Sequence, residues 1–119
     1  MSSGVVVVCG GGGFIGGHLV RELLSHCAAV RAVDIKPMSE WCQVHVQAEN
    51  LLLDLRTHDG CVSAMAGGVS DVYNLACDMG GMRFIENNKA LCMLSVLINT
   101  HVLMAARDAG ARRVFFSSS

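Results

Sequence analysis

At 119 residues the chain makes at most one domain. Apolar residues account for 52% of it and charged residues for 16%, a balance that supports a packed core and excludes a disordered chain. The formal net charge is −1 and no basic run occurs, which argues against nucleic acid or an anionic membrane surface as partner.

No apolar stretch approaches the roughly 18 residues that a membrane-crossing helix needs. The N-terminus has no basic region before VVVV, and glycines follow too soon for a secretory signal. The expected setting is the cytosol. Six cysteines, Cys9, Cys27, Cys42, Cys61, Cys77 and Cys92, include no C-x-x-C pair, and most sit in apolar patterns such as VVVVC and ALCMLSV. They read as small buried hydrophobes, with neither a disulfide nor a zinc site expected.

In chain order, VVVVCG is a β-branched run ended by glycine, the pattern of a fully buried strand. From Phe14 to Cys27, Ile15, Leu19, Leu23 and Leu24 fall at helical spacing. Ala29 to Ile35 (AVRAVDI) predicts a second strand, and the weak alternation of CQVHVQAENL a short third one. A helix is expected from about Arg56, closed by Gly67 and Gly68. SDVYNLAC predicts the fourth strand. A long helix follows over about Asn87 to Ala109, with Leu91, Leu94, Ile98, Val102 and Ala105 on one stripe. Gly110 caps it, and RRVFFSSS is the fifth strand. Strands alternating with helices predict the α/β class, a doubly wound parallel sheet covered on both faces.

The segment CGGGGFIGGHL lies between a predicted strand and a predicted helix, the context that gives a glycine motif meaning. Two registers fit, Gly10-x-x-Gly13-x-x-Gly16 and Gly11-x-Gly13-x-x-Gly16. Both place Gly13 where backbone meets a pyrophosphate and Gly16 where the helix packs on the sheet. The helix N-terminus offers unpaired N–H groups and partial positive charge to the phosphates. A P-loop would need Lys and Ser or Thr after its last glycine, but His18 and Leu19 follow Gly17. Asp34 ends the second strand, where a carboxylate accepts from the adenosine ribose hydroxyls and repels a 2′-phosphate. NAD is therefore expected over NADP, with Lys36 nearby weakening the preference. The competing reading is a glycine-rich turn whose aspartate caps something else.

CGGGGFIGGHL resembles the T-G-x-x-G-F-I-G signature of the extended short-chain dehydrogenases/reductases, the NAD-dependent epimerase/dehydratase family, with Cys9 in the threonine position. Asp54-Leu55 matches the family's D-[LV] after the third strand, and NLAC (Asn74 to Cys77) matches its N-L-A-A except in the last residue. Ser117 to Ser119 match its serine-rich turn after the fifth strand. The resemblance covers the whole chain in order. It implies a Rossmann-type domain over residues 1–119, the N-terminal five-strand portion, with the catalytic and substrate-binding remainder outside this chain. It also implies cofactor contacts at Gly10, Gly13, Phe14, Ile15, Gly16, Asp34, Asp54, Leu55, Leu75 and Ala76.

DMGGM, followed by FI and NN, resembles the block after the fourth strand of the GDP-mannose 3,5-epimerases. There the loop faces the sugar nucleotide, so Gly80 and Gly81 are expected to contact substrate. Glycine lets backbone approach closely and methionine offers an adaptable apolar surface. The resemblance implies transient oxidation at hexose C4, proton exchange at C3 and C5 beside the ketone, and re-reduction, with NAD as hydride carrier. Ser119 matches the family's catalytic Ser/Thr, which hydrogen-bonds the reacting hydroxyl. The implied substrate is a nucleotide sugar, a GDP-hexose by this block, and the implied full-length protein is a homodimer.

The Tyr-x-x-x-Lys pair of the family has no match here, because the only tyrosine, Tyr73, is followed four residues on by Cys77. A chain of residues 1–119 alone is expected to be inactive, with its fifth strand an exposed apolar edge prone to aggregation. Cys77 occupies an alanine position of the family and lacks a base partner, so no catalytic role is expected of it. His18, His26, His45, His58 and His101 are scattered and suggest neither a triad nor a metal set. Ser95 stands where many relatives have an asparagine near the nicotinamide. Two other readings share the half-domain, a dehydratase or reductase of the same family and a non-catalytic NAD(P)-sensing module.

Overall fold

The computed structural model describes residues 4–26, 29–75 and 88–116, without the side chains of 88–96 and 116. Its elements are β1 (Val5–Cys9), α1 (Phe14–Leu24), β2 (Val30–Asp34), a 3-10 turn (Met38–Glu40), β3 (Glu49–Leu52), α2 (His58–Ala64), β4 (Val69–Asn74), α3 (Asn88–Asp108) and β5 (Arg113–Phe116). The five strands form one sheet in the order β3-β2-β1-β4-β5, with every pairing parallel. That order is the one found in Rossmann-type folds, whose direction of winding reverses beside β1.

Two apolar clusters cover the two faces of the sheet. On one face Val8, Val30 and Ala32 pack with Val20 of α1, Trp41 and Ala48. On the other Val7, Cys9, Val33 and Val72 pack with Cys61 and Ala64 of α2 and with Ile98, Val102, Ala105 and Ala106 of α3. The central strands bury both faces, so β1 reads as an unbroken valine run rather than an alternation. The predicted stripe on α3 is buried at Ile98, Val102 and Ala105, and Leu91 and Leu94 lie outside the described side chains. Gly110 closes α3 with φ +87°, the left-handed conformation that glycine adopts without steric cost.

The third strand differs from the expectation. Pairing with β2 begins only at Glu49, and Cys42 to Gln47 run outside the sheet. The alternation in that segment carries no burial, since Val44 and Val46 are exposed. Its polar groups turn instead to the glycine loop and α1: Cys42 N–H donates to Gly12 O (2.9 Å), and His45 Nε2 lies 3.3 Å from Gly17 O. The second helix also starts later than Arg56. Thr57 caps it, and Arg56 pairs backward with Asp54.

Among the described residues two charged ones are buried, and neither was foreseen. Arg31 of β2 donates to Glu49 Oε1 (2.8 Å) and, from Nη1, to the carbonyls of Ala64 (2.7 Å) and Ala66 (2.8 Å) at the end of α2. Asp71 of β4 accepts from Arg113 (2.9 Å) on the neighbouring β5. Buried charges persist when paired and hydrogen-bonded, and both of these tie an edge strand to the sheet interior. β5 is an edge strand, and Phe115 on it is 42% exposed while stacking on Tyr73 at 4.8 Å.

Candidate functional site

The carboxyl ends of β1, β2 and β4 meet where the winding reverses, and the segments that leave them build the site. After Cys9 the chain turns sharply at Gly10, with φ +86°. Gly10 and Gly11 both donate to Val33 O, at 2.7 and 3.0 Å, which holds the turn against β2. Gly13 donates back to Gly10 O (3.1 Å) and then serves as N-cap of α1. A Cβ at Gly16 would collide with the Gly10 carbonyl, so this position requires glycine for the helix to seat on the turn.

The first turn of α1 is open. The helix has no side-chain cap and no acidic residue in that turn. Its first bond is Gly17 N–H to Gly13 O (2.9 Å), so the N–H groups of Phe14, Ile15 and Gly16 are those a helix leaves unpaired. Phe14 and Ile15 are 67% and 65% exposed at this end. Gly13 differs from its neighbours: a Cβ there would meet only Gly10 O, at 3.5 Å, and its φ of −77° suits any residue. Nothing in the described chain requires glycine at position 13, whereas an anion drawn to the open helix end would require close backbone approach.

Asp34 accepts two backbone N–H groups, from Gly12 at Oδ2 (3.0 Å) and from Lys36 at Oδ1 (3.1 Å). It therefore braces the glycine loop as well as standing beside it, and the two readings of this aspartate are compatible. A carboxylate has about four acceptor directions, so two bonds leave capacity for ribose hydroxyls. Asp54 is clamped by Arg56 at 2.9 and 3.0 Å, and that guanidinium holds its carboxyl below the usual carboxylate range. The Leu55 side chain, 5% exposed, belongs to the core cluster on the α2 and α3 face. Leu75 continues β4, donating to Cys9 O (2.8 Å), and packs on the α1 face. Ala76, Cys77, Gly80, Gly81 and Ser119 lie outside the described residues, as does the Ser95 side chain.

Gly12 and Trp41 were not anticipated. Trp41 is buried against Gly12, and its Nε1–H donates to Lys36 O (2.8 Å). The only sequence signal was a lone tryptophan just before the segment read as the third strand. The histidines are less scattered than expected, since His58 and His101 form an edge-to-face pair with centroids 6.3 Å apart. Of the cysteines, Cys9 and Cys61 are buried as expected, and Cys42 is exposed. Burial, with the Asp54 charge adding to it, pushes the Cys61 thiol up to about 11. No helix among the described residues is long and apolar enough to cross a membrane.

Comparison with known proteins agrees with this fold. Residues 6–119 match the model of the NAD dependent epimerase/dehydratase family. The chain is 39% identical over 115 residues to a GDP-mannose 3,5-epimerase of Oryza sativa subsp. japonica, covering 96% of this chain and 30% of that relative. A solved UDP-galactose 4-epimerase is 31% identical with a TM-score of 0.76, over 97% of this chain and 38% of its own. A short-chain dehydrogenase/reductase superfamily protein from Agrobacterium tumefaciens, solved with bound NAD, is 26% identical with a TM-score of 0.74, over 97% of this chain and 32% of its own. The chain thus spans about a third of the length of these proteins.

Proposed function

Since the chain belongs to the NAD-dependent epimerase/dehydratase family, we propose that it forms the dinucleotide-binding part of a nucleotide-sugar epimerase acting on GDP-mannose. Gly10, Gly13, Phe14, Ile15 and Gly16 bring backbone to the pyrophosphate, and Asp34 accepts from the adenosine ribose. Asp54, Leu55, Leu75 and Ala76 flank the adenine side, Leu55 through its backbone. Gly80 and Gly81 face the sugar nucleotide, and Ser119 hydrogen-bonds the reacting hydroxyl. Bound NAD supplies reversible hydride transfer at hexose C4. A homodimeric full-length enzyme working in the cytosol belongs to the same proposal.

The observation that carries the cofactor reading is Gly13, a glycine with free space at its α-carbon at the mouth of an uncapped helix. Titration calorimetry tests it. The folded chain binds NAD, and binds NADP about tenfold more weakly because Asp34 repels the 2′-phosphate. A folded chain that fails to bind NAD overturns the reading.

The substrate reading rests on DMGGM and on the identity to the rice enzyme. A chimera carrying residues 6–119 of this chain on the remainder of that enzyme, incubated with GDP-mannose in deuterated water, incorporates deuterium at C3 and C5. An NAD-loaded chimera that ignores GDP-mannose but epimerises UDP-galactose transfers the proposal to a 4-epimerase, the reading favoured by the 31% identical solved structure. Residues 1–119 alone carry no Tyr-x-x-x-Lys, so turnover of GDP-mannose by them would contradict the assigned division of labour.

A further inference from the structure

We propose that Trp41 is a positioning residue for the dinucleotide site, locking the phosphate loop and the Asp34 turn into one shape before the cofactor arrives. Four contacts close a ring. Gly12 N–H donates to Asp34 Oδ2 (3.0 Å), and Lys36 N–H donates to Asp34 Oδ1 (3.1 Å). The indole Nε1–H donates to Lys36 O (2.8 Å). The indole face then lies on Gly12, so closely that a Cβ there would come within 2.6 to 2.8 Å of Cδ1, Cγ and Nε1. Cys42 N–H to Gly12 O (2.9 Å) braces the ring from the residue after Trp41.

This ring explains a glycine that the phosphate motif leaves over. Both registers of the motif use Gly13 and Gly16, and neither gives Gly12 a task. In the structure Gly12 makes room for the indole rather than for a phosphate. It also explains why a buried aromatic residue sits on an irregular segment. An indole with its N–H satisfied is a rigid, well-anchored wedge. The pyrophosphate and ribose contacts are carried by different segments, the loop after β1 and the end of β2. A ligand that must touch both loses less ordering entropy when they are already fixed relative to one another.

The inference rests on the reading of the loop as a dinucleotide site, and the test separates the two. NAD and ADP-ribose are titrated calorimetrically into the full chain and into Trp41→Phe, Trp41→Ala, Gly12→Ala and the Gly12→Ala/Trp41→Ala double variant, each checked by circular dichroism and melting. Trp41→Phe keeps the wedge but loses the N–H bond, and weakens both ligands about threefold; Trp41→Ala weakens both about tenfold or more. Gly12→Ala weakens binding strongly when the indole is present and little when it is absent, so the two substitutions are non-additive. A purely structural role lowers the melting temperature and leaves the affinity of the folded protein unchanged. If wild type binds NAD while folded Trp41→Phe and Trp41→Ala bind within twofold of it, or if the double variant is additive, the positioning role is wrong and the dinucleotide site stands. Should Trp41→Ala fail to fold, Trp41→Phe and Gly12→Ala decide by the same criterion. A folded wild-type chain that does not bind NAD removes both.

Discussion

Helices α1 and α2 both follow a strand and a tight turn, yet they begin in opposite ways. The N-terminus of α2 is closed from within: Thr57 Oγ1 accepts the Gly60 N–H (3.0 Å), Asp59 lies in the first turn, and Cys61 Sγ donates to Leu55 O (3.2 Å). The N-terminus of α1 has neither a side-chain cap nor an acidic residue, and it opens on glycines and two exposed apolar side chains. A capped end has spent its donors on the chain itself. An uncapped end keeps its N–H groups and its share of the helix dipole for an anion. The contrast separates a helix that only packs from one that can also bind.

The largest effect is expected at the seat of the open end. Gly16→Ala forces a methyl into the Gly10 carbonyl, a backbone atom that cannot rotate away. Overpacking of this kind costs about 1–3 kcal/mol, and the shifted helix loses NAD altogether; denaturant melts and calorimetry show both losses. Gly13→Ala is the sharper cut. The position has ordinary dihedral angles and room for a Cβ, so stability changes by less than ~1 kcal/mol. NAD affinity falls about tenfold or more, because the methyl stands where the pyrophosphate must approach the backbone. Equal NAD affinity in Gly13→Ala and wild type would erase the distinction between the two helix ends.

Thr57→Ala is the counterpart at the closed end. It removes the side chain that satisfies Gly60 N–H and costs about 1 kcal/mol of stability. The cap leaves the glycine loop and Asp34 untouched, and its second bond, Thr57 Oγ1 to Asp54 O (2.8 Å), reaches only the adenine side of the proposed site. The NAD affinity of the folded protein therefore falls far less than in Gly13→Ala. A variant that keeps its stability but loses NAD affinity would mean that α2 belongs to the binding site after all.

Much of this was legible in the sequence, for identifiable reasons. β1 and α1 were read closely because a valine run, a glycine turn and helical spacing all point the same way. The phosphate loop was recognisable because its glycines stand in a strand–turn–helix context. The third strand was misplaced because alternation alone does not show which groups will be buried. Val44 and Val46 alternate correctly and still face solvent, while the hydrogen bonds of that segment go to Gly12 and Gly17. Arg31 could not be read as buried, since its partners are Glu49 and two carbonyls 33 and 35 residues away. The Gly12–Trp41 contact was hidden for the same reason. Spacing along a chain exposes local chemistry, and these contacts exist only after the sheet forms.

The smallest expected effect concerns the closed end at alkaline pH. Cys61 is fully buried at the start of α2, and burial raises its thiol from 9.0 to about 11, the Asp54 charge adding to the shift. In the unfolded chain the thiol ionises first. The folded state therefore holds the extra proton between pH 9.0 and about 11, and stability falls as pH rises through that window. Below the unfolded value both states are protonated, so the stabilising contribution is fully present at neutral pH. Cys61→Ala creates a small cavity and is less stable at neutral pH, yet it removes this titration. Denaturant melts at about pH 8 and about pH 10.5 therefore show wild type losing more stability between the two than Cys61→Ala loses. Because the thiol touches neither the glycine loop nor Asp34 and meets the proposed site only at Leu55 O (3.2 Å), NAD affinity at about pH 8 falls far less in Cys61→Ala than in Gly13→Ala. Parallel alkaline losses would mean that the α2 end opens to water before the chain unfolds, and its contrast with α1 would then be one of degree.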